Sequence, residues 1–529
     1  MTDHTTRSSF RTTAATAPVV AVAAVVATPV LVIIWSIVDP SSEVWRSLWN
    51  TRLPGMARDT ATLLVTVVAG SLVLGTGLAW LITAHHFPGR RVLGWLLVTP
   101  LAIPGYVLGF VWLDTWQQPL GARAVRSIWL CALVLTLTLY PYVYLFALAA
   151  FREQSQRSVD AARSLGCSSA GAFWHVVLPM ARPSLAGGAA LVAMEVLTDV
   201  GTVRLFNVST IADGVMRVWF GTGDRDAAAE LAVLLIAVAA VLVAVERLLR
   251  GRARFTRGAG RSGLEPRHLS GRQALGASAL GWGGFAVAVA LPVARLVVWA
   301  EESRRAGQTS TVAGDLSFHT LSSLRVAGLA TVGCLLVGAL LAIALDRRRR
   351  GHGALAQVAT LGYAVPGPVV AVGVLVTLGA VDRSGWLPAG WLLIGSLAGL
   401  TYALVVRFLA VTYQGIESSV AKVPRDVVAS ARTLGAGRLR VATRIELPLA
   451  GAGLLAAAVL VAIDTLKELP ITLLLRPFGT ETLPVWVWQA TSESLWAQAA
   501  VPSLALIAVG MALVAALMWA LEHGGETVS

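Results

Sequence analysis

Long apolar runs alternate with short polar connections along the whole chain. A helix needs about 20 consecutive apolar residues to cross a bilayer, and the chain carries about twelve such runs. They cover residues 18–38, 60–83, 92–114, 128–151, 185–203, 227–249, 276–299, 323–345, 355–380, 390–413, 450–475 and 499–521. Only 13% of the residues are charged, whereas a soluble protein carries about 25%. The pattern predicts an all-α polytopic membrane protein.

The basic residues lie in the polar connections between these runs. Lysine and arginine outnumber the acids by 42 to 29, which gives a net charge of +13. The arginine clusters are Arg90–Arg91, Arg152 to Arg163, Arg247 to Arg272, Arg347 to Arg350 and Arg425 to Arg444. With a cytoplasmic N-terminus, all of these clusters face the cytoplasm, as the positive-inside rule requires. The basicity is therefore topological. We expect membrane lipid rather than nucleic acid around a multi-pass protein of the cell (inner or cytoplasmic) membrane, with both termini cytoplasmic.

The chain contains two copies of one unit. "DAARSLGCSSAGAFWHVVLP" (160–179) matches "ASARTLGAGRLRVATRIELP" (429–448), and "AIPG" (102–105) has a counterpart in "AVPG" (364–367). The repeat predicts two tandem six-helix units, residues 1–250 (core 58–249) and 276–529 (core 319–521), joined by a cytoplasmic linker at 251–275. Parallel repeats imply a pseudo-two-fold axis along the membrane normal, so that a path on the axis is lined twice by equivalent residues.

The two matching segments, which we call the repeat loops (160–179 and 429–448), fall between the fourth and fifth runs of each unit. Each begins as a short Ala-rich helix that a glycine closes, Gly166 or Gly435. An amphipathic stretch follows, and we expect the Leu-Pro pair to end it at the membrane. The sequence therefore predicts a helix-turn-helix that projects into the cytoplasm from each unit.

The repeat loops resemble the EAA loop of ABC importer permeases of type I. Asp160 stands where that family usually has Glu, while Ala429 and Ser430 depart further from the motif. The resemblance implies that each loop docks into a groove of an ATPase subunit and couples it to transport. The implied coupling residues are Asp160, Ala161, Ala162, Gly166, Leu178, Pro179, Ala431, Gly435, Leu447 and Pro448.

Nearly the whole chain is similar to the ferric-iron permeases among these importers. Two fused units and the segment "LKELPITLLLRPFGTETL" carry this similarity. It implies a permease subunit that takes ferric iron from an extracytoplasmic solute-binding protein and works with two copies of an ABC ATPase. The fused relatives for thiamine and for phosphonate-type substrates are the alternative within the family.

The chain lacks the motifs of an enzyme. No Walker A pattern occurs, and the only lysines are Lys422 and Lys467. No catalytic, cofactor-binding or metal-binding arrangement stands out, so we expect no cofactor in this chain and ATP in a partner subunit. A secondary transporter driven by an ion gradient would also have about twelve helices, parallel halves and buried acids. The two cytoplasmic loops favour the ATP-driven class, since a secondary carrier docks no ATPase.

Charged residues recur in the fifth apolar run of each unit. Glu195 and Asp199 match Asp464 and Glu468 at an offset of 269 residues, and Lys467 lies beside the second pair. A spacing of four residues places both acids on one face of a helix. Charges in hydrocarbon are costly and usually face a water-filled path or a protein interior. Either these side chains line the translocation pathway, or they pair internally, Asp464 with Lys467.

A second repeated pattern, Arg-x-Phe-x3-Thr, follows the fifth run. It comprises Arg204, Phe206 and Thr210 in the first unit and Arg476, Phe478 and Thr482 in the second. We interpret these segments as parts of the outer mouth, where a gate and the docking protein meet. An ordinary helix cap with a snorkelling arginine explains the pattern equally well.

Overall fold

The protein is almost entirely helical. A computed structural model describes residues 4–36, 42–121, 126–221, 223–250, 266–306, 309–345, 352–360, 362, 365–388, 390–420, 423 and 425–523. Most of the predicted linker, residues 251–265, lies outside these ranges, as does Ala364 of the second "AVPG" motif. The sole sheet among the described residues is a parallel pair, β1 (His85–His86) with β2 (Arg267–His268).

The helices of the first unit are α1 (His4–Trp35), α2 (Ser42–Thr51), α3 (Leu53–Ala84), α4 (Arg90–Leu96), α5 (Gly105–Leu120), α6 (Ile128–Arg152), α7 (Gln156–Ser164), α8 (Ser169–Ala172), α9 (Leu178–Thr198), α10 (Gly201–Leu205), α11 (Ile211–Gly221) and α12 (Arg225–Arg250). A 3₁₀ turn covers Thr99–Ala102, and a π turn covers Phe173–Val177.

The helices of the second unit are α13 (Gly271–Phe285), α14 (Leu291–Arg305), α15 (Thr309–Ala344), α16 (His352–Ala359), α17 (Gly367–Arg383), α18 (Leu397–Val420), α19 (Arg425–Thr433), α20 (Arg438–Val441), α21 (Leu447–Leu449), α22 (Gly451–Leu466), α23 (Pro470–Leu475), α24 (Leu483–Ser492) and α25 (Trp496–His523). Two further π turns lie at Ala286–Ala290 and Ala442–Glu446.

The prediction of an all-α polytopic membrane protein is confirmed, with a smaller number of unbroken spans than expected. In the described ranges, 8 helices are long and apolar enough to cross a membrane, and 10 if each of two bent pairs counts as one span. The other two predicted spans are interrupted or short. Residues 18–38 correspond to the apolar stretch Val20–Trp35, and residues 355–380 are divided between α16 and α17.

The repeated Ala-x-Pro-Gly motif marks the point where the third span of each unit breaks. Pro104 and Pro366 are the extended N-cap residues of α5 and α17. Proline disfavours helical backbone in the residue before it, so the preceding segment cannot run on into the new helix. In the first unit the chain bends by 94° between Arg90–Ala102 and Gly105–Gln117.

The Leu-Pro pair of the first unit does not end the amphipathic stretch, which corrects the sequence-based expectation, whereas the helix of the second unit ends at Leu449, one residue after Pro448. Each of the three π turns stands directly before a Leu-Pro pair, and its first carbonyl accepts a hydrogen bond from the leucine N–H five residues later. Proline lacks an N–H and clashes with the carbonyl four residues earlier. The wider π turn accommodates both defects. In the first unit the helix therefore continues through Pro179 as one span, Ser169–Thr198.

The two units interleave rather than standing side by side. α1 of the first unit packs along α16 and α17 of the second, where the backbone of Gly373 approaches the carbonyl of Pro29. In return, α14 of the second unit packs against α5 of the first unit, and it also packs against α25 of its own unit. One buried core accordingly joins residues of α3, α5 and α6 with residues of α25, and another joins α1, α11 and α12 with α17 and α18.

Candidate functional site

A cavity lies between the two units, about 700 Å³ in volume when the open space at its mouth is included. The start of α5, the middle of α6 and the end of α9 line it from the first unit. From the second unit, α18 and the end of α22 complete the wall. Equivalent elements of the two repeats thus meet at one place, as a path on a pseudo-two-fold axis requires.

All five charged residues singled out in the sequence line this cavity. The expected geometry of the acids is wrong in one respect, because neither fifth helix is continuous through its second acid. α9 ends at Thr198 and α22 ends at Leu466, so Asp199 and Glu468 lie in breaks of the chain rather than one turn along a helix face.

The second acid of each pair caps the short helix after the break. Asp199 accepts hydrogen bonds from the N–H of Thr202 at 2.8 Å, its hydroxyl at 2.7 Å and the N–H of Val203 at 3.2 Å. Glu468 accepts one from the N–H of Ile471 at 3.2 Å. Helix N-termini carry unsatisfied N–H groups and partial positive charge, so a carboxylate there is stabilising. The break and the acid therefore support each other.

The glycines of the Ala-x-Pro-Gly motifs lie directly against these capping acids. A Cβ at Gly105 would lie 3.2 Å from Oδ2 of Asp199 and 2.6 Å from the Thr202 hydroxyl. A Cβ at Gly367 would lie 2.9 Å from Oε1 of Glu468. Each glycine thus lets the broken third span approach the broken fifth span. The sequence revealed the repeated motif, although it gave no reason to connect it with the acids.

Asp464 and Lys467 form the internal pair that the structural interpretation expected. Lys467 Nζ lies 3.0 Å from Oδ1 of Asp464 and donates to the hydroxyl of Tyr142 at 3.0 Å. The Tyr142 hydroxyl also lies 3.4 Å from Asp464 Oδ1. Tyr142 belongs to α6 of the first unit, so this cluster joins the two units.

Arg407 is a cavity residue that the sequence analysis missed. Its Nε lies 3.5 Å from Oε2 of Glu468, and both side chains are buried. Its other nitrogens donate to the carbonyl of Val365 and the hydroxyl of Thr198, each at 3.2 Å. A signal was available, because Arg407 is the lone charge in the apolar run "LAGLTYALVVRFLAVTY". Such residues usually face a protein interior or a water-filled cavity.

The two units carry different charges on the same scaffold. At the repeat offset of 269 residues, Lys467 corresponds to Thr198, and Arg407 corresponds to Thr138. Both threonines line the cavity. The acids of the second unit are therefore matched by cations of their own unit, whereas Glu195 has no hydrogen bond or ion pair within the described part of the chain. The nearest cations to Glu195, Lys467 and Arg407, belong to the second unit.

The two repeat loops turn in the same way. Gly166 and Gly435 have positive φ values of 90° and 83°. The N–H of the glycine donates to the carbonyl three residues back, and the next N–H donates to Ala162 or Ala431 five residues back. This is a Schellman motif, which needs a left-handed residue where glycine is favoured. The expected glycine turn is thus present in both copies.

Most of the implied coupling residues lie on or near the surface of the repeat loops. Asp160 is exposed and accepts a hydrogen bond from Gln156 at 2.9 Å. The leucine before each glycine, Leu165 or Leu434, is 86% or 88% exposed, and the sequence analysis did not single it out. By position, the exposed members are Asp160, Ala161, Gly166, Gly435 and Pro448; Ala162 is buried; Leu178, Pro179, Ala431 and Leu447 are partly buried.

The first Arg-x-Phe-x3-Thr segment is held by a buried carboxylate. Arg204 and Arg217 both pair with Asp213, whose side chain is fully buried. The hydroxyl of Thr210 accepts a hydrogen bond from the N–H of Asp213 at 3.2 Å and so caps α11. The helix-cap interpretation therefore accounts for Thr210, while the arginine is tied to a partner rather than extended freely.

The second segment is built differently. Arg476 pairs with Glu481 at 3.1 Å, and His319 of α15 lies 3.1 Å from the other oxygen of Glu481. Burial alone would raise the pKa of Glu481, but the hydrogen bonds from His319 and Arg476 outweigh it and hold that pKa below its usual value. Phe478 is fully exposed, whereas Phe206 is fully buried. The two phenylalanines are therefore not equivalent.

Both segments share one anchoring contact with the second span of their unit. The N–H of Ile211, after Thr210, donates to the hydroxyl of Thr60 at 3.0 Å. The N–H of Leu483, after Thr482, donates to the hydroxyl of Ser323 at 2.8 Å. Thr60 lies in the first third of α3, and Ser323 lies in the N-terminal half of α15. The repeat loops follow the C-terminal ends of α6 and α18. These helices pack parallel to α3 and α15, since Gly70 faces Thr136 and Gly75 faces Val143, so the segments and the loops lie toward opposite ends of the bundle.

Comparison with known proteins places the chain in a family. Residues 71–255 and 334–523 each match the family described as "Binding-protein-dependent transport system inner membrane component". The chain belongs to this family. Its two matches fall in the two halves of the repeat, so it is a fused, two-unit permease of the binding-protein-dependent type.

Curated relatives of this permease carry different substrates in their names. The "Fe(3+)-transport system permease protein FbpB 2" of Haemophilus influenzae is 24% identical over 468 residues, which cover 87% of this chain and 88% of the relative. The "Sulfate transport system permease protein CysT" of Escherichia coli is 28% identical over 183 residues, 32% of this chain and 65% of the relative. The "Molybdate/tungstate transport system permease protein WtpB" of Thermococcus kodakarensis is 26% identical over 36% of this chain and 75% of the relative.

Asp464 forms an ion pair with Lys467, whereas Glu195 has no ion pair in the described residues, so neutralising each acid should affect the stability of the permease differently. Asp464→Asn removes the charge that compensates Lys467, and an unpaired buried charge costs about 3 kcal/mol. We expect a lower unfolding temperature for the purified permease in detergent. Glu195→Gln removes a charge that has no partner, so the unfolding temperature should stay the same or rise. Equal losses in the two variants would contradict the asymmetry of the cavity.

Proposed function

We propose that this permease is the transmembrane subunit of an ABC importer for ferric iron. It takes substrate from an extracytoplasmic binding protein and is coupled to a separate ATPase. The main support for ferric iron as the substrate is the match to the ferric-iron permease, which extends over both fused units. The sulfate and molybdate relatives named above match about a third of the chain.

The charge of the cavity supports a cation over an anion. Glu195 and Asp199 lie in its wall without a neighbouring cation of their own unit, and like charges repel strongly where water is scarce. Sulfate, molybdate or a phosphonate would meet this repulsion, whereas a metal cation would be attracted. Among the described residues no group of three or more His, Cys, Asp or Glu side chains converges to hold a metal. The cavity is therefore suited to passage rather than to tight binding, with selectivity left to the binding protein.

Two copies of an ATPase subunit would dock below the permease, one on each repeat loop. The two loops present the same rigid Schellman turn with an exposed leucine at its tip. An exposed leucine on a fixed turn favours burial in an apolar groove, because burying it contributes about 2 kcal/mol. The arginine clusters support a cytoplasmic position for these loops and for both termini.

Transport would proceed by alternating access. ATP binding in the partner subunits draws the two repeat loops together, and the helices behind them open the outer mouth. Hydrolysis and product release reverse the movement. In this scheme ATP binds to the partner subunits, and this chain carries the movement of the loops to the cavity. The Arg-x-Phe-x3-Thr segments, at the opposite end of the bundle, would receive the binding protein.

The substrate assignment is tested by direct uptake. Cells that express the permease with its ATPase and binding protein should accumulate labelled ferric iron, and unlabelled iron should compete. Thiamine is the second candidate, because it is also a cation and the negative cavity admits it. Accumulation of thiamine, sulfate or molybdate without accumulation of iron would refute the iron assignment. Uptake with no ATPase present would instead favour an ion-driven carrier.

The unpaired acid of the cavity should matter for iron uptake. Glu195→Gln removes a negative charge from the wall while it preserves the shape of the side chain, so we expect the uptake rate to fall about fivefold or more, the scale of an interaction of about 1 kcal/mol. Glu493→Gln, an exposed position between α24 and α25, is the matched control and should leave uptake unchanged. Wild-type uptake in Glu195→Gln would show that the cavity is not the pathway.

The glycine turns should be required for coupling. Gly435→Val forces a β-branched residue into positive φ, which is strongly disfavoured. We expect the variant to reach the membrane in normal amounts but to retain less ATPase on purification and to lose most iron uptake. Gly437→Val, two residues away and without positive φ, is the control. Failure of Gly435→Val to insert into the membrane would contradict a role confined to coupling.

A further inference from the structure

Two cations of the second unit donate to hydroxyl groups of the first unit across the cavity. On one side, Lys467 donates to the hydroxyl of Tyr142, 3.0 Å away, while it pairs with Asp464. On the other side, Arg407 donates to the hydroxyl of Thr198, 3.2 Å away, while it pairs with Glu468. In both contacts a cation of the second unit reaches a hydroxyl of the first.

These contacts fix long, flexible side chains in a site where they are scarcely exposed. The side chains of Lys467 and Asp464 are 18% and 15% exposed, and those of Arg407 and Glu468 are 8% and 5%. Hydrogen bonds to charged groups are stronger than those between neutral groups, and a low dielectric strengthens them further. The crossing contacts therefore stabilise the arrangement of the two units in which they form.

A continuous path between the units cannot coexist with these contacts. The cavity is bounded by α6 and the end of α9 on one side and by α18 and the end of α22 on the other. Opening it along the axis separates those walls, which carry Tyr142 and Thr198 opposite Lys467 and Arg407. Each cation keeps its own acid when this happens, because both members of each ion pair belong to the second unit. Only the hydrogen bonds to the first unit break.

We propose that Tyr142 and Thr198, with Lys467 and Arg407, form a cross-unit latch that holds the pathway closed in the resting permease. The internal ion pairs keep the two cations neutralised whether the latch is open or closed, so opening leaves neither cation without its acid. The latch rests on the proposed ABC function, since its release is coupled to the state of the ATPase. Tyr142, Thr198, Lys467 and Arg407 are positioning residues that need not touch the substrate.

Removing a contact that exists only in the closed state shifts the population toward the open state. In the complex with its ATPase subunits, reconstituted in liposomes without binding protein, Tyr142→Phe should raise the basal rate of ATP hydrolysis by about fivefold, the effect of losing one hydrogen bond. Thr198→Val, which removes the hydroxyl that Arg407 reaches, should act in the same direction. The two substitutions together should raise the rate further.

Two neighbouring substitutions serve as controls. Tyr140→Phe removes a buried hydroxyl for which no hydrogen-bond partner is found among the described residues, two positions from Tyr142 on α6. Thr136→Val removes a hydroxyl of α6 that donates to the carbonyl of Ala132 in its own helix and lies outside the cavity wall. Both should keep the wild-type basal rate and the normal stimulation by loaded binding protein.

The outcomes separate the latch from the function on which it rests. Wild-type basal rates in Tyr142→Phe and Thr198→Val, with normal assembly, would overturn the latch and leave the importer function intact. A rise of the same size in the two controls would also overturn it, since the effect would then be general loosening. If the wild-type permease binds no ATPase at all, the proposed function itself fails. Should Tyr142→Phe fail to assemble, Thr198→Val alone decides.

Discussion

A helix that begins inside an apolar bundle leaves N–H groups that lipid cannot satisfy, and the cavity of this permease is organised by that constraint. The fifth span of each unit breaks at the cavity, and an acid at the break, Asp199 or Glu468, accepts the free N–H groups of the next short helix. The broken third span starts again at Gly105 or Gly367, in contact with the same acid. The first role of these two acids is thus to cap the helix that follows, which explains why both units keep an acid at this position.

The repeat preserves this scaffold and varies what is attached to it. Lys467 and Arg407 neutralise the acids of the second unit, while threonines occupy the equivalent positions in the first. A path lined twice by identical charges would hold a cation in the middle of the membrane. A path with one compensated and one uncompensated half attracts a cation more weakly and from one side. Two copies of one fold can therefore share a pathway while they contribute different properties to it.

Much of this architecture could be predicted from the sequence, because it rests on local patterns. Hydropathy gave the spans, the offset of 269 residues gave the two units, and Gly166 and Gly435 gave the turns of the repeat loops. The helix breaks escaped prediction, although Pro470 after Glu468 is a usual first residue of a helix. Arg407 was visible as a lone charge and was overlooked because its partner Glu468 lies 61 positions further along the chain. The interleaving of α1 with α17 leaves no local trace, since the apolar face of α1 is suited to either unit.

A π turn connects the repeat loop to the cavity in each unit, but the helices that follow the two turns differ. In the first unit the loop continues through Leu178 and Pro179 into a single helical span of 30 residues, Ser169–Thr198. At 1.5 Å per residue this span is about 45 Å long, and it ends beside Asp199. Because a helix is stiff along its axis, a displacement at the loop reaches this wall of the cavity almost undiminished. In the second unit the equivalent path bends by 74° between Leu439–Leu449 and Gly453–Leu466. A bend absorbs part of the same displacement, so equal movements of the two loops shift the two walls by unequal amounts. The wall behind the unbroken helix carries Glu195, the acid without a partner, and the wall behind the bent one holds both ion pairs.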